Sequence, residues 1–256
     1  MNLSICAIAK NENSYINDWC KYHLDGGFDH IFIFDNNSPS SEYVGNYIDS
    51  NIRSNITIIP VNYFYQFQKQ AYNDFYAHIG TKFDWCAFID IDEFIYTPTR
   101  RTIKSILTSI PPSMDVVRLN WQIYGDDGIL NGDVTIPVYE RITKKVQHEY
   151  NYHAKCMVRG QLSNVIFNSV HYPLIHGVMP KQCTPSGKVL PNSAKINIGT
   201  IDYSQLYINH YMTKTWEEFK KQKLKRSDAA LTRTLTEEYF FKINPTTRQL
   251  IANHDK

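Results

Sequence analysis

Apolar runs of strand length alternate with amphipathic segments through the first third of the chain. The predicted strands cover residues 3–9, 30–34, 56–61 and 85–89. Between them, apolar residues recur at helical spacing; Asn13 or Ser14 is the predicted N-cap of the first helix, and Gly26 ends it. Because buried parallel strands read as continuous apolar runs, this alternation predicts an α/β fold with a mostly parallel, Rossmann-like central sheet flanked by helices.

The second half of the chain has a more mixed pattern. The predicted elements there are a helix over 103–110, a strand over 116–121, a turn at 125–128 and a long surface loop over 181–200. Capping-box spacing at Thr215 and at Thr234 predicts two C-terminal helices. Since no internal repeat or linker interrupts the pattern, a single domain over residues 1–256 is predicted.

Polar side chains follow three of the predicted strands. They belong to Lys10-Asn11-Glu12, Asp35-Asn36-Asn37 and Asp90-Ile91-Asp92. Ligands of open α/β sheets bind beyond the carboxyl ends of the strands, so these side chains are predicted to share a site. Residues two apart on an extended segment point the same way, and two carboxylates placed together need a cation, a shared proton or many donors. A divalent ion carrying a diphosphate meets that need; an acidic loop without a ligand is the alternative.

Composition and charge narrow the class of protein. The net charge of +2 gives no general attraction to nucleic acid, and none is expected as a partner. The first residues are apolar without a preceding basic residue, which is atypical of a secretory leader, and no run reaches the length of a membrane span. Five scattered cysteines favour neither a zinc site nor a disulfide framework, so a cytoplasmic location is expected.

Several motifs occur in an order that resembles a known group of enzymes. They are Ala9-Lys10-Asn11-Glu12, Trp19-Cys20 with Tyr22-His23, Phe34-Asp35-Asn36-Asn37-Ser38, Asp90-Ile91-Asp92-Glu93-Phe94, Trp121 with Tyr124-Gly125, and Asn209-His210-Tyr211 with Thr213-Lys214-Thr215 and Glu218-Phe219. Together they resemble bacterial glycosyltransferases of the family 2 and family 92 type, from about residue 3 to residue 226. The resemblance implies a GT-A fold, a nucleotide-sugar donor, Mn²⁺ or Mg²⁺, and inversion at the anomeric carbon. It also implies a nucleotide-sugar half at about 1–100 and an acceptor half at about 101–256.

The acidic motif is expected to hold the metal. Asp92 is the predicted direct ligand, while Asp90 contacts the ribose or reaches the metal through water. The resemblance also brings His210 to the diphosphate or the metal. An ion bridging both phosphates would neutralise the leaving diphosphate. Glu93 is expected to point away and support the turn.

The nucleotide-sugar pocket is predicted from the strand ends and two further positions. Its expected residues are Ala9, Lys10, Glu12, Asp35, Gln70, Asp90 and Lys214. Carboxylates suit sugar hydroxyls and ring N–H groups because they only accept hydrogen bonds. Two simpler interpretations stay open: Asp35 as a turn-forming residue, and Glu12 as a favourable carboxylate at a helix N-terminus.

The catalytic base is sought in the turn at 125–128. Inverting transfer needs a group that takes the proton of the acceptor hydroxyl, and Asp126 and Asp127 are the candidates. The relatives often carry small hydroxyl residues between these two glycines, so the turn departs from their pattern. An ordinary Asp-Gly turn is the alternative.

The expected function is transfer of a hexose, galactose or glucose, from a UDP-linked donor to a surface glycan such as lipopolysaccharide or capsule. The chain also contains a basic C-terminal segment, made of Lys214, Lys220, Lys221, Lys223, Lys225 and Arg226. Lys214 or Lys223 is a candidate for binding phosphate oxygens. A peripheral contact of this segment with the inner membrane would suit a lipid-linked acceptor, and packing of its helix on the core is the alternative. A metal-dependent phosphatase or nucleotidyltransferase and a non-catalytic carbohydrate-binding protein are the alternatives.

Overall fold

The structure is a computed structural model that describes residues 1–36, 40–62, 67–193, 200–224 and 234–254. The strands are β1 (Leu3–Ala9), β2 (His30–Asp35), β3 (Ile56–Pro60), β4 (Trp85–Phe88), β5 (Glu93–Tyr96), β6 (Val116–Ile123), β7 (Ala154–Arg159), β8 (Val165–Ser169), β9 (Tyr172–Ile175), β10 (Gln182–Cys183) and β11 (Tyr207–His210). The α-helices are α1 (Asn13–Asp25), α2 (Phe67–His78), α3 (Ile103–Thr108), α4 (Val138–Arg141), α5 (Trp216–Gln222), α6 (Glu237–Ile243) and α7 (Pro245–His254). Short 3₁₀ turns occupy Ser40–Glu42, Val44–Tyr47, Arg53–Asn55, Gly80–Lys82 and Glu149–Tyr152.

Nine of the described strands form one mixed sheet. Its order is β3-β2-β1-β4-β7-β6-β11-β5, with β10 beside β6, while β8 and β9 make a separate hairpin. The first four strands of this order are parallel. β7 runs antiparallel to both β4 and β6, so β6 and its parallel neighbour β11 point the same way as β4. The predicted α/β fold with a large central sheet and flanking helices is confirmed.

Two apolar layers cover the two faces of this sheet. Alternate residues of β1 face opposite sides: Ile5 packs in the layer that contains Trp19 of α1, and Cys6 packs in the layer that contains Phe75 of α2. This follows from the two-residue period of a strand. Because both faces are buried, the strands carry the continuous apolar runs that made them recognisable in the sequence.

Helix boundaries differ from the capping pattern in two places. The N-cap of α1 is Glu12, one residue before the predicted Asn13, and its side chain makes no capping hydrogen bond. Near the C-terminus, the capping box of α5 at Thr215 forms as predicted. The next helix is capped by Thr236, two residues beyond Thr234, and Pro245 both follows α6 and begins α7. In the described part of the chain, no helix is long and apolar enough to cross a membrane.

Parts of the sequence predictions fall outside the described residues. They are Asn37 and Ser38 of the motif after β2, residues 194–199 of the predicted loop, and Lys225 and Arg226 of the basic segment.

Candidate active site at the carboxyl edge of the sheet

One edge of the sheet collects the carboxyl ends of β1, β2, β4, β6 and β11, which all point the same way. The polar residues that follow these strands therefore lie along a common edge. They include the predicted site residues Lys10, Glu12, Asp35, Asp90, Asp92, Asp126, Asp127, His210 and Lys214. These polar residues therefore cluster because the strands that precede them point the same way.

The acidic motif forms a tight turn between β4 and β5. The Asp90 backbone N–H donates to Glu93 Oε2 at 2.9 Å, and the Glu93 N–H donates to the Asp90 carbonyl at 3.1 Å. Glu93 is fully buried, and burial raises the pKa of its carboxyl well above the usual range, with further raising by Asp90 and Asp92. Glu93 therefore supports the turn through its two hydrogen bonds with Asp90.

Asp92 is held by two groups from the C-terminal part of the chain. His210 Nε2, at the end of β11, lies 3.5 Å from Asp92 Oδ1. Lys223 Nζ forms an ion pair with Asp92 Oδ2 and donates to the Met212 carbonyl at 2.7 Å. Burial alone would raise the pKa of Asp92, but Lys223 and His210 outweigh it and hold that pKa well below its usual range. Asp92 is therefore an ionised carboxylate among cationic and imidazole groups.

Asp90 has a different environment and reaches solvent. Lys155 Nζ on β7 donates to Asp90 Oδ1 at 3.0 Å, and the Gln68 amide on α2 donates to the same oxygen. The Lys155 side chain is 1% exposed, whereas that of Asp90 is 35% exposed. Burial would lower the pKa of Lys155, but Asp90 and Glu93 outweigh it and raise that pKa. A buried ammonium group thus pairs with Asp90, while part of the Asp90 side chain remains accessible to solvent.

Glu12 and Lys214 form a second buried pair on this edge. Lys214 Nζ donates to Glu12 Oε2 at 2.9 Å and lies 3.7 Å from the centre of the Tyr15 ring. The backbone of Lys214 has a φ of +53°, a left-handed conformation that costs energy in a non-glycine residue. Lys214 also contributes to lowering the pKa of Asp92, so the two pairs share one electrostatic environment.

The other predicted donor residues lie in different positions along the edge. Asp35 is buried and accepts a hydrogen bond from the Val44 N–H, nine residues further along the chain, at 2.8 Å. Ala9 pairs with Asp35 across β1 and β2, and Lys10 is exposed. Gln70 lies on the exposed side of α2, whereas Gln68 and Tyr72 of this helix hydrogen-bond to Asp90.

The two aspartates of the turn after β6 are both tied into the structure. Asp127 has a φ of +55°, and its carboxylate accepts the backbone N–H groups of Thr143 at 2.7 Å and Lys144 at 2.8 Å. Asp126 is 3% exposed and accepts a hydrogen bond from the hydroxyl of Thr247 on α7. Burial raises the pKa of Asp126. Asp126 thus combines burial with a raised pKa.

Two residues of this site were missed in the sequence, Gln68 and Lys155, and Lys155 is in an antiparallel strand that the apolar pattern did not reveal. Lys223 was a candidate for phosphate oxygens, but its pairing with Asp92 was not predicted. The one available signal was the acidic pair itself, since buried carboxylates require cationic partners somewhere in the chain.

The chemistry of the donor set fits a divalent ion that is shared with a substrate. Within the described residues, no three His, Cys, Asp or Glu side chains converge as a complete metal site. Asp92 and His210 do lie side by side, and carboxylate and imidazole are donors that Mn²⁺ accepts. Magnesium-type sites commonly use one or two carboxylates and complete the shell with water and substrate phosphates. Asp92 and His210 would be the protein ligands of such an ion.

Comparison with known proteins identifies relatives over most of the chain. The model of glycosyltransferase family 92 matches residues 2–240. A glycosyltransferase family 92 protein of Oryza sativa subsp. japonica is 28% identical over 231 residues, which are 86% of this chain and 34% of that protein. One from Ricinus communis is 25% identical over 235 residues, 88% of this chain and 38% of that protein. The chain thus spans about a third of the length of these plant relatives.

Solved structures show a more distant likeness. TarS residues 1–349 from S. aureus, in complex with UDP, has a TM-score of 0.40 and 14% identity, covering 62% of this chain and 47% of that chain. HddC from Yersinia pseudotuberculosis has a TM-score of 0.35 and 13% identity, covering 63% of this chain and 71% of that chain.

Proposed function

This chain belongs to glycosyltransferase family 92, and from that premise we propose that it is a metal-dependent, inverting hexosyltransferase. The proposed donor is a UDP-linked hexose, galactose or glucose, and the proposed acceptor is a hydroxyl group of a surface glycan. One observation carries the proposal: the acidic turn at Asp90 and Asp92 meets His210, Lys214 and Lys223 at the carboxyl edge of the sheet.

The donor site in this proposal uses both ends of the chain. Asp92 and His210 would hold Mn²⁺ or Mg²⁺, which when bound supplies positive charge for the leaving diphosphate. The ammonium groups of Lys214 and Lys223, which both lower the pKa of Asp92, are the proposed partners of the phosphate oxygens, and the partly exposed Asp90 is the proposed partner of the ribose. Ala9, Lys10, Glu12 and Asp35 extend the same edge toward the nucleoside.

Asp126 is the proposed base on the acceptor side. Its raised pKa brings the carboxylate closer to the range of a general base. It accepts one backbone N–H, from Gly128, and the Thr247 hydroxyl, whereas the carboxylate of Asp127 accepts two backbone N–H groups. The acceptor hydroxyl loses its proton to Asp126, and its oxygen bonds to the anomeric carbon. The bond from that carbon to the diphosphate breaks, and its electron pair leaves with the diphosphate. The replacement Asp126→Asn should lower kcat far more than KM for the donor.

The acceptor is proposed to be a glycan that is free or linked to a lipid. The last turn of α5 carries Lys220 and Lys221, and the Lys220 side chain is 36% exposed. Such groups suit an anionic membrane surface, so we propose a cytoplasmic enzyme that contacts the inner membrane peripherally.

The proposal is tested by calorimetry with UDP-galactose and UDP-glucose, with and without Mn²⁺, followed by a transfer assay. Wild-type protein should bind one of these donors in a metal-dependent manner. Asp92→Asn should weaken that binding by about tenfold or more, because an ionised ligand is lost. Asp25→Asn, at an exposed pair with Lys21, is the matched control and should bind as wild type. Metal-independent binding that survives in Asp92→Asn would contradict the proposed site.

A further inference from the structure

We propose that Lys223 is a displaceable counter-ion, which occupies the metal-binding carboxylate of Asp92 in the ligand-free protein and moves to the diphosphate of the donor. The ion therefore binds well only together with the nucleotide. This inference rests on the proposed function and adds an order to its binding steps. It assigns to Lys223 control over when the metal ion can bind to Asp92.

The first argument is that the ammonium group of Lys223 and a divalent ion need the same carboxylate. Lys223 Nζ is in ion-pair contact with Asp92 Oδ2, while Oδ1 of the same carboxylate faces His210. Both side chains are mostly buried, at 12% exposure for Lys223 and 10% for Asp92. Since like charges repel strongly at such distances in a poorly solvated site, a divalent ion on Asp92 destabilises the ammonium group beside it.

The second argument is that Lys223 can move while its helix stays in place. Lys223 is the C-cap of α5, and its backbone N–H donates to the Phe219 carbonyl at 2.9 Å. The other end of α5 is fixed by the capping box of Thr215 and Glu218. Beyond this anchored backbone, the lysine side chain has a flexible four-carbon stem and three rotatable donors. Reorientation of the ammonium group therefore needs no change in the fold.

The third argument distinguishes Lys223 from the other two lysines of the site. The side chains of Lys155 and Lys214 are each 1% exposed, and each is paired with a carboxylate, Asp90 and Glu12 respectively. Lys223 has more access to solvent and shares the carboxylate that also lies beside His210. A diphosphate that binds together with the ion offers the Lys223 ammonium group new oxygen acceptors. These acceptors compensate for the loss of its ion pair with Asp92.

The test measures Mn²⁺ binding, by the paramagnetic resonance signal of the free ion, with and without UDP. The proteins are wild type, Lys223→Met and the control Lys220→Met, which lies on the same helix in a surface pair with Glu217. Wild type should bind Mn²⁺ weakly alone and much more tightly with UDP. Lys223→Met should bind Mn²⁺ alone about tenfold more tightly than wild type, because the competing charge is gone. Lys220→Met should behave as wild type.

Equal affinities of wild type and Lys223→Met for Mn²⁺ without UDP would overturn the inference. The Mn²⁺ binding that is lost in Asp92→Asn is the binding at this carboxylate. Only that part of the Mn²⁺ binding is compared between wild type and Lys223→Met. If Lys223→Met fails to fold, as thermal melting would show, Lys223→Gln gives the same comparison with a neutral donor. Calorimetry of UDP binding separates the two proposals: a wild type that does not bind UDP contradicts the donor site itself, whereas UDP binding with no effect of Lys223 contradicts only its displacement.

Discussion

At the residue scale, the acidic turn is defined by which ammonium group each carboxylate meets. Asp90 rests on a buried lysine of β7 and remains open to solvent. Asp92 is nearly enclosed and faces Lys223 and His210. Two chemically identical side chains, two residues apart, therefore suit different ligands. The partly exposed carboxylate of Asp90 can accept a hydrogen bond from a neutral hydroxyl, and the nearly enclosed carboxylate of Asp92 can bind a cation.

Replacement of Lys155 by Met should destabilise the protein. It leaves Asp90 without its ion-pair partner and leaves the fully buried Glu93 next to an uncompensated charge. Because Asp90 is partly solvated, the free energy of unfolding should fall by about 3 kcal/mol, the low end for a broken buried pair. Urea denaturation measures this change.

The matched control for that variant is Lys104→Met, which breaks the half-exposed pair with Asp29. Its cost should stay below about 1 kcal/mol, as is usual for a surface ion pair. Similar costs for Lys155→Met and Lys104→Met would mean that Lys155 does not support the acidic turn.

The sequence indicated which residues lie at the edge of the sheet better than it indicated their partners. Asp90, Asp92 and Glu12 could be placed there because each follows a recognisable apolar strand. Their pairing with Lys155 and Lys223 could not be predicted, because these partners are 65 and 131 residues away in the chain. Helix faces were equally uncertain: Gln68 and Gln70 differ by two positions, and a small error in helical phase exchanges the buried and exposed sides.

At the element scale, α5 is fixed by a buried ion pair as well as by its cap. Glu218 Oε2 accepts hydrogen bonds from Arg141 Nη1 at 2.8 Å and from the Thr215 hydroxyl at 2.6 Å. The Tyr15 hydroxyl donates to Glu218 Oε1 at 2.7 Å. Burial alone would raise the pKa of Glu218, but these donors lower it to about 2. The helix that carries Lys223 is thus linked to α1 and α4 through one carboxylate.

The stability of the protein should depend on pH through Glu218. Since the pKa of Glu218 is about 2 when folded and 4.5 when unfolded, its contribution is complete above the higher value and is lost as the pH falls toward the lower. From about pH 6 to about pH 3, this loss should amount to about 2 kcal/mol in the free energy of unfolding.

Urea denaturation of wild type and Glu218→Gln across this pH range isolates the contribution of Glu218. The difference between the two proteins should narrow as the pH falls, because glutamine does not titrate. A difference that stays constant with pH would show that the Glu218 carboxyl has an ordinary pKa in the folded protein.

The elements themselves were predicted unevenly, and the reason is physical. Parallel strands such as β1, which the sequence placed at 3–9, are buried on both faces and stand out as apolar runs. β7 and β11 also lie in the sheet but contain the buried polar residues Lys155 and His210, which interrupt the apolar pattern. These two strands were missed in the sequence, as were the short strands β5, β8, β9 and β10.

At the scale of the whole molecule, Asn244 connects the turn after β6 to two other segments. Its side chain accepts a hydrogen bond from the Asp126 N–H at 2.8 Å. It donates to the Thr213 hydroxyl at 3.1 Å and to the Phe240 carbonyl at 3.2 Å. Thr213 directly precedes Lys214, so one buried amide joins the proposed acceptor side to the donor side.

Replacement of Asn244 by Ala should lower the free energy of unfolding by about 3 kcal/mol, because it leaves buried polar groups of Asp126 and Thr213 unsatisfied. Asn55→Ala, which removes an exposed hydrogen bond to the Asp29 carbonyl, is the control and should cost less than about 1 kcal/mol. Chemical denaturation compares the two. If Asn244→Ala lowers the free energy of unfolding no more than Asn55→Ala does, Asn244 does not connect these segments.

The position of β11 in the sheet has a consequence for how the protein is made. β5 pairs with β11, and the Tyr211 N–H donates to the Asp92 carbonyl at 2.9 Å, yet more than a hundred residues separate these partners in the chain. When a ribosome has just completed β5, the strand β11 that pairs with it has not yet been synthesised. The partners of Asp92, which are His210 and Lys223, are also still missing from the nascent chain. Closure of such distant pairings is slow, and an open edge invites association with other chains. Nascent chains that stop before residue 207 should accordingly aggregate or be degraded, and the proposed binding of a nucleotide should require that β11 has been made.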